Sequence, residues 1–154
     1  LMMGLYTALR ISDILRIRVE DIKKNYINIR EKKTSKLRRI YLNHELKKAL
    51  NSYIQDKEPY EYLIKSREGT NKPITRARAY DILKEAGNEV GIESIGTHSL
   101  RKTFGYWAYK DTKDVAALQK LFNHSSPEET LRYIGIEQDN VDLLIKNAYR
   151  NARR

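Results

Sequence analysis

The 154-residue sequence contains no cysteine. Disulfides are excluded, and so is every thiolate-held zinc or iron–sulfur centre. There is no run of about 18 apolar residues, so no segment reads as a membrane-spanning helix. The opening Leu1-Met2-Met3-Gly4-Leu5 lacks a basic stretch followed by an apolar core and does not read as a signal peptide. It reads as the middle of an apolar helix, so the chain is expected to begin inside a longer protein. Paired carboxylates and His/Asp clusters of the kind that hold catalytic metals are missing, as are internal repeats and low-complexity tracts. Apolar residues make up 40%, slightly low for a globular chain, and charged residues 32%.

What the sequence has instead is positive charge. Thirty Lys and Arg stand against 20 acids, for a formal charge of +10. Such a balance favours a polyanion bound through phosphate contacts and counterion release, with an anionic membrane surface as the competing partner. The basic residues are spread along the chain and do not gather on one amphipathic helix, which favours nucleic acid. The length fits one domain able to bury a core unaided.

Along the chain, Ile11, Ile14, Leu15 and Ile17 form a helical stripe, with Ser12 and Asp13 placed to serve the local turn. The period then changes to two. Tyr26 to Arg30 alternates and Leu37 to Leu42 is rich in β-formers, so a hairpin is expected with the basic turn 31–36 at its tip. Asn43 caps a helix expected over 45–56. Residues 57–74 carry two of the three prolines and read as loop with one short strand, Tyr62 to Lys65. Helices are expected from Thr75 to about Val90, over 97–110, and over 114–122, the last ending at Asn123. Ser126-Pro127-Glu128-Glu129 has the form of a capping box with proline at the first helical position, and Gly135 ends the helix it starts. Val141, Leu144, Ile145 and Ala148 then make one narrow apolar stripe. The fold class expected is α+β, mainly α-helical, with a small antiparallel sheet.

Within 97–110, Leu100, Phe104 and Trp107 fall within about 60° of one another at roughly 100° per residue. That stripe reads as core. His98 and Arg101 lie on another face, and side by side they would make an anion site at the edge of the core. Taken alone, a His-x-x-Arg pair, a histidine at a helix end (His124) or one of eleven tyrosines (Tyr133) is an ordinary structural residue. Lys33 at a hairpin tip is by default a solvated charge, and Arg10 a surface one.

Read in order, however, the chain contains Ala8-Leu9-Arg10-Ile11-Ser12-Asp13, Lys33 in a hairpin, Thr97-His98-Ser99-Leu100-Arg101-Lys102, Asn123-His124-Ser125-Ser126, and Arg132-Tyr133. This set resembles the signature of the tyrosine recombinases, the phage-integrase family, over Leu5 to Ile136. Two departures stand out. Phe122-Asn123-His124 replaces the common Leu-Gly-His, and Lys102 takes the place of a histidine often found after the second arginine.

The resemblance implies a recombinase catalytic domain over 1–154, without the family's N-terminal core-binding domain and with a C-terminal docking helix over 137–154. It implies site-specific DNA cleavage and rejoining, in integration or excision, through a 3′-phosphotyrosine at Tyr133. Arg10 and Arg101 would clamp the scissile phosphate, His124 would donate to it, and Lys33 would protonate the leaving 5′-oxygen. His98 would assist proton movement at Tyr133, whose free phenol titrates near about 10. Neither metal nor cofactor is implied. The partners implied are a double-stranded attachment site and three further copies of the chain on synapsed DNA, with a monomer expected in isolation and no membrane. The location implied is the cytoplasm of a bacterium or of a phage host. Arg38, Arg39, Arg76, Arg78 and Lys102 are the expected DNA-facing residues. A non-catalytic DNA-binding relic and a type IB topoisomerase are the alternatives.

Overall fold

The structure, a computed structural model, describes residues 1–32 and 35–148. The chain divides into two compact units, residues 1–101 and 102–154.

The first unit opens with helix α1 (Met2–Thr7), which ends on Ala8 at φ 56°. This left-handed residue turns the chain into an extended Arg10 and then the single-turn helix α2 (Ile11–Ile14). Strands β1 (Tyr26–Arg30) and β2 (Leu37–Tyr41) pair antiparallel, with Ile27 opposite Ile40 and Ile29 opposite Arg38. The two-residue side-chain period buries Ile27, Ile29 and Ile40. Helix α3 (His44–Ile54) starts where expected because Asn43 accepts a hydrogen bond from the Leu46 amide. It adds Leu46 and Leu50 to a core that includes Met3, Leu9, Ile14, Ile17, Leu42 and Leu63. Each such side chain, fully buried, contributes about 1.5–3 kcal/mol.

Between α3 and helix α4 (Arg76–Glu89) the expected strand at Tyr62–Lys65 is not formed. Two isolated bridges stand in its place, Arg18 to Tyr62 and Lys65 to Pro73. The Lys65–Pro73 bridge has two flanking bonds, from the Ile74 amide to the Ile64 carbonyl at 3.1 Å and from the Ser66 amide to the Lys72 carbonyl at 2.7 Å, and extends no further. The segment is held by Leu63 instead, 1% exposed, whose amide donates to the Ile17 carbonyl at 2.8 Å. Thr75 caps α4 through the Arg78 amide.

Helix α5 (Ser99–Thr112) opens at the end of the first unit and continues into the second. There it is followed by α6 (Val115–Phe122), α7 (Pro127–Ile134) and α8 (Ile136–Asn147). Every junction has a local cause. Asp114 caps α6 through the Ala117 amide, and Asn123 ends it at φ 57°. Ser126 caps α7 through the Glu129 amide, Pro127 occupies its first position, and Gly135 closes it at φ 84°. The Glu129 carboxylate accepts from the amide and hydroxyl of Ser125, one residue before the cap a standard capping box would use.

Two expectations for α5 need correction. It starts at Ser99, two residues late, so His98 lies in the preceding turn. Trp107 is 60% exposed and not core. The buried position on that part of the helix is Gly105, where a Cβ would come within 2.6–2.8 Å of Ile134 and Phe122. Omitting a side chain there lets the aromatic ring and α7 approach the α5 backbone directly.

Candidate active site

Arg10 is the N-cap residue of α2, half-buried, with its carbonyl accepting from the Asp13 and Ile14 amides at 2.9 and 3.0 Å. On the first turn of α5, Arg101 is only 3% exposed, and its guanidinium donates to the carbonyl of Ala8. The first unit therefore brings the second arginine onto the chain segment that carries the first. Arg101 was expected at the edge of the core, beside His98; it is buried, whereas His98 is exposed. A guanidinium is tolerated at that depth only when hydrogen-bonded. The bond to Ala8 also fixes the plane of its remaining donors.

Lys33 lies outside the described residues; residues 31, 32 and 35–38 of the hairpin are described. Glu31, 5% exposed, takes the Ser35 amide on its carbonyl, gives its own amide to the Lys36 carbonyl and forms an ion pair with Arg38. The Lys32 amide donates to Asp13 Oδ1 at 2.8 Å. Asp13 is 3% exposed, and its Oδ2 has no hydrogen-bond partner among the described residues. It thus ties the first turn after Arg10 to the hairpin residue preceding Lys33. Sequence reasoning gave Asp13 only a local turn role. The signal that could have found it was a carboxylate on the apolar side of a short helix, where an unpaired charge is costly.

In the second unit, the left-handed Asn123 ends α6 and places His124 against α7. His124 Nδ1 is 3.1 Å from Thr130 Oγ1, and its ring centre is 5.1 Å from that of Tyr133. Phe122, fully buried, lies edge-on behind Tyr133 and tilted against His124, 5.4 Å from each. The Lys102 ammonium stands 5.5 Å from the Tyr133 ring centre. Tyr133 is half-buried on the last turn of α7, so its ring is packed rather than free to sweep through solvent.

The five expected DNA-facing residues have different settings. Arg38 is half-buried on Glu31, and Arg39 stacks over Tyr26 at 5.1 Å. Arg76 is exposed at the first position of α4. Arg78 pairs with Glu85 at 3.2 Å, both exposed, while Lys102 faces Tyr133. Among the described residues, no three His, Cys, Asp or Glu come together as a metal site would need, and no helix is long and apolar enough to cross a membrane.

Residues 1–139 match the model of the phage integrase family. The chain is 51% identical over 137 residues to a probable integrase/recombinase of Bacillus subtilis, YoeC, covering 88% of this chain and 75% of the relative. It is 31% identical to the tyrosine recombinase XerA of Saccharolobus solfataricus, covering 88% of this chain and 44% of that protein. Among solved structures, the site-specific recombinase XerH bound to its palindromic difH substrate in a post-cleavage complex superposes with a TM-score of 0.69. That match is 22% identical and covers 86% of this chain and 39% of the other. The chain thus spans less than half the length of the last two.

Proposed function

The chain belongs to the phage integrase family, the tyrosine recombinases of site-specific DNA recombination, and from that membership we propose that Tyr133 is the nucleophile that breaks and rejoins DNA strands. The Tyr133 Oη attacks the scissile phosphorus, the bond to the 5′-oxygen breaks, and a 3′-phosphotyrosine and a free 5′-hydroxyl result. His98 takes up the phenol proton and Lys33 supplies one to the departing oxygen. The covalent link conserves the energy of the broken bond, so a 5′-hydroxyl from another strand can reverse the step.

A phosphodiester offers a poor electrophile, and its transition state gathers charge on the non-bridging oxygens. Preorganised cations are therefore the main device available to this chain. Arg10 and Arg101 clamp those oxygens with a fork that lysine lacks, and His124 donates a further hydrogen bond. The observation that carries the assignment is the bond from Arg101 to Ala8, which seats one guanidinium on the strand of chain bearing the other. The packing of His124 on Tyr133 supports the roles given to those two residues.

Strand exchange calls for four copies on two DNA sites inside a cell. Val141 and Ile145 of α8 are 48% and 65% exposed, and Ala148, on the same side just past its end, is exposed too. That exposed apolar stripe supports docking of α8 on a neighbouring copy; the side chain of Leu144 lies outside the described residues. Deleting 137–154 should then abolish assembly on DNA. The chemistry is tested with a nicked duplex carrying the attachment site, which traps the covalent product. A denaturation-resistant adduct is expected, and it should vanish in Tyr133→Phe. An adduct that persists in that variant would exclude Tyr133 as nucleophile, and supercoil relaxation without recombinant product would point to a topoisomerase.

A further inference from the structure

We infer that Thr130 is a positioning residue for His124, using its buried hydroxyl to keep the imidazole's proton on Nε2. The inference rests on the proposed role of His124 as a donor to phosphate.

Thr130 lies one turn into α7 and is 0% exposed. Its Oγ1 has two polar neighbours, His124 Nδ1 at 3.1 Å and the Ser126 carbonyl at 3.3 Å. The same carbonyl already accepts the Thr130 amide at 3.3 Å. A hydroxyl owns one proton and two lone pairs, and at this depth the proton is committed to one of the two neighbours. A neutral imidazole also owns one N–H. If the hydroxyl donates to Nδ1, the ring proton must sit on Nε2. If Nδ1 keeps the proton, Nε2 is a bare lone pair, which a phosphate oxygen repels.

The shorter contact is the one to His124. With the hydroxyl proton given to Nδ1 of the neutral ring, that contact is hydrogen-bonded and the Ser126 carbonyl still has the Thr130 amide as a donor. When the ring is protonated, the hydroxyl can turn its proton to Ser126 and accept from Nδ1–H instead. In either charge state Nε2 then carries hydrogen. This adaptability is what a hydroxyl offers and a methyl or a carboxylate does not. The backbone serves the same end: Ser126 caps α7, and Thr130 is the first residue of that helix whose amide returns to the capping carbonyl. The helix start that the sequence marks so clearly therefore also fixes the height of the hydroxyl against the ring.

The experiment is a nitrogen-15 correlation spectrum of the chain's three histidines, taken about two pH units above the ordinary histidine value of about 6.5. The His124 signal is assigned by its loss in His124→Ala. The Nε2–H tautomer is expected in the parent and in Thr130→Ser, and a shift toward Nδ1–H in Thr130→Val. Single-turnover cleavage of the nicked duplex should fall roughly 10- to 100-fold in Thr130→Val, the scale of losing an orienting partner, and recover in Thr130→Ser. An Nδ1–H signal in the parent overturns the inference without recourse to any variant, whether or not the valine form folds. Parent-rate cleavage by Thr130→Val, with His124→Ala impaired, overturns it while leaving the role of His124 intact. Parent-rate cleavage by His124→Ala removes that role, and the inference with it.

Discussion

Arg101 donates a hydrogen bond to the carbonyl of Ala8, a residue 93 positions earlier and two before Arg10. Ala8 can offer that carbonyl because it is left-handed, at φ 56°, a conformation that costs an alanine and is retained where surrounding structure holds it. Arg101→Lys keeps the charge but loses the planar fork. Single-turnover cleavage should fall by at least about 100-fold, on the scale of a lost oxyanion donor, with DNA affinity changed much less. Lysine cleaving at the parent rate would show that charge alone suffices at this position.

Asp13 gives a prediction for the hairpin. Its Oδ1 is the acceptor for the Lys32 amide at 2.8 Å, and the side chain is 3% exposed. Asp13→Ala leaves that amide without its acceptor, at a cost of about 1–3 kcal/mol where the group stays buried. Urea denaturation should register the loss, and exchange of the Lys32 amide hydrogen should quicken. Asp13→Asn retains an acceptor oxygen and should restore most of both. Because Lys33 follows directly, cleavage should track hairpin protection across the series. A hairpin amide that exchanges equally slowly in the alanine form would dissociate Asp13 from that turn.

At Gly105 the backbone of α5 comes close to both Ile134 of α7 and Phe122. An added Cβ would stand 2.6 Å from Ile134 Cγ2 and 2.7 Å from Phe122 Cζ. Gly105→Ala should therefore destabilise the protein by about 1–3 kcal/mol, as overpacking does, despite the better helix propensity of alanine. Phe122 backs both His124 and Tyr133, so cleavage should fall more than stability alone explains. Thermal melting alongside single-turnover cleavage separates the two, and a stabilised variant would contradict the close approach.

The parts of this fold set by local chemistry were legible in the sequence, and those set by distant partners were not. Asn43, Thr75, Asp114 and Ser126 all cap helices through their own side chains, because a short polar side chain three residues before a free amide needs no tertiary help. The hairpin followed from alternation in the same way. The wheel over 97–110 identified an apolar stripe but could not know that Gly105 takes the buried place and leaves Trp107 outside. It also could not show that Arg101 is buried, since the carbonyl that makes burial tolerable belongs to Ala8. The strand expected at Tyr62–Lys65 is not formed because its two ends pair with different segments, Tyr62 with Arg18 and Lys65 with Pro73, a fact of pairing and not of propensity. For the site, the resemblance to the tyrosine recombinases pointed to Arg10, Lys33, His98, Arg101, His124 and Tyr133, none of which stood out by residue type alone. The supporting contacts of Asp13 and Thr130 emerged only from the coordinates.

The start of α8 carries a pH-dependent anchor. The Tyr106 hydroxyl donates to Asp139 Oδ2 at 2.8 Å, and the Lys110 ammonium lies 3.1 Å from the same oxygen. The hydrogen bond from Tyr106 and then the one from Lys110 hold the Asp139 carboxyl below its usual range, while Asp139 and then Tyr106 raise Lys110 above its own. A depressed carboxyl stabilises the fold above the ordinary aspartate value of about 4, and that contribution is lost as pH falls through the lower folded value. A raised ammonium stabilises below the ordinary lysine range, and its contribution is lost as pH rises through the higher folded value. The anchor is therefore complete at neutral pH and weakens at both extremes. Asp139→Asn should melt below the parent at neutral pH, with the gap closing in acid as Asp139 of the parent becomes protonated. All three side chains have solvent access, so added salt should narrow the gap as well. A gap that stayed constant from neutral pH to well below the aspartate range would show that the charge of Asp139 does not hold α8 to α5.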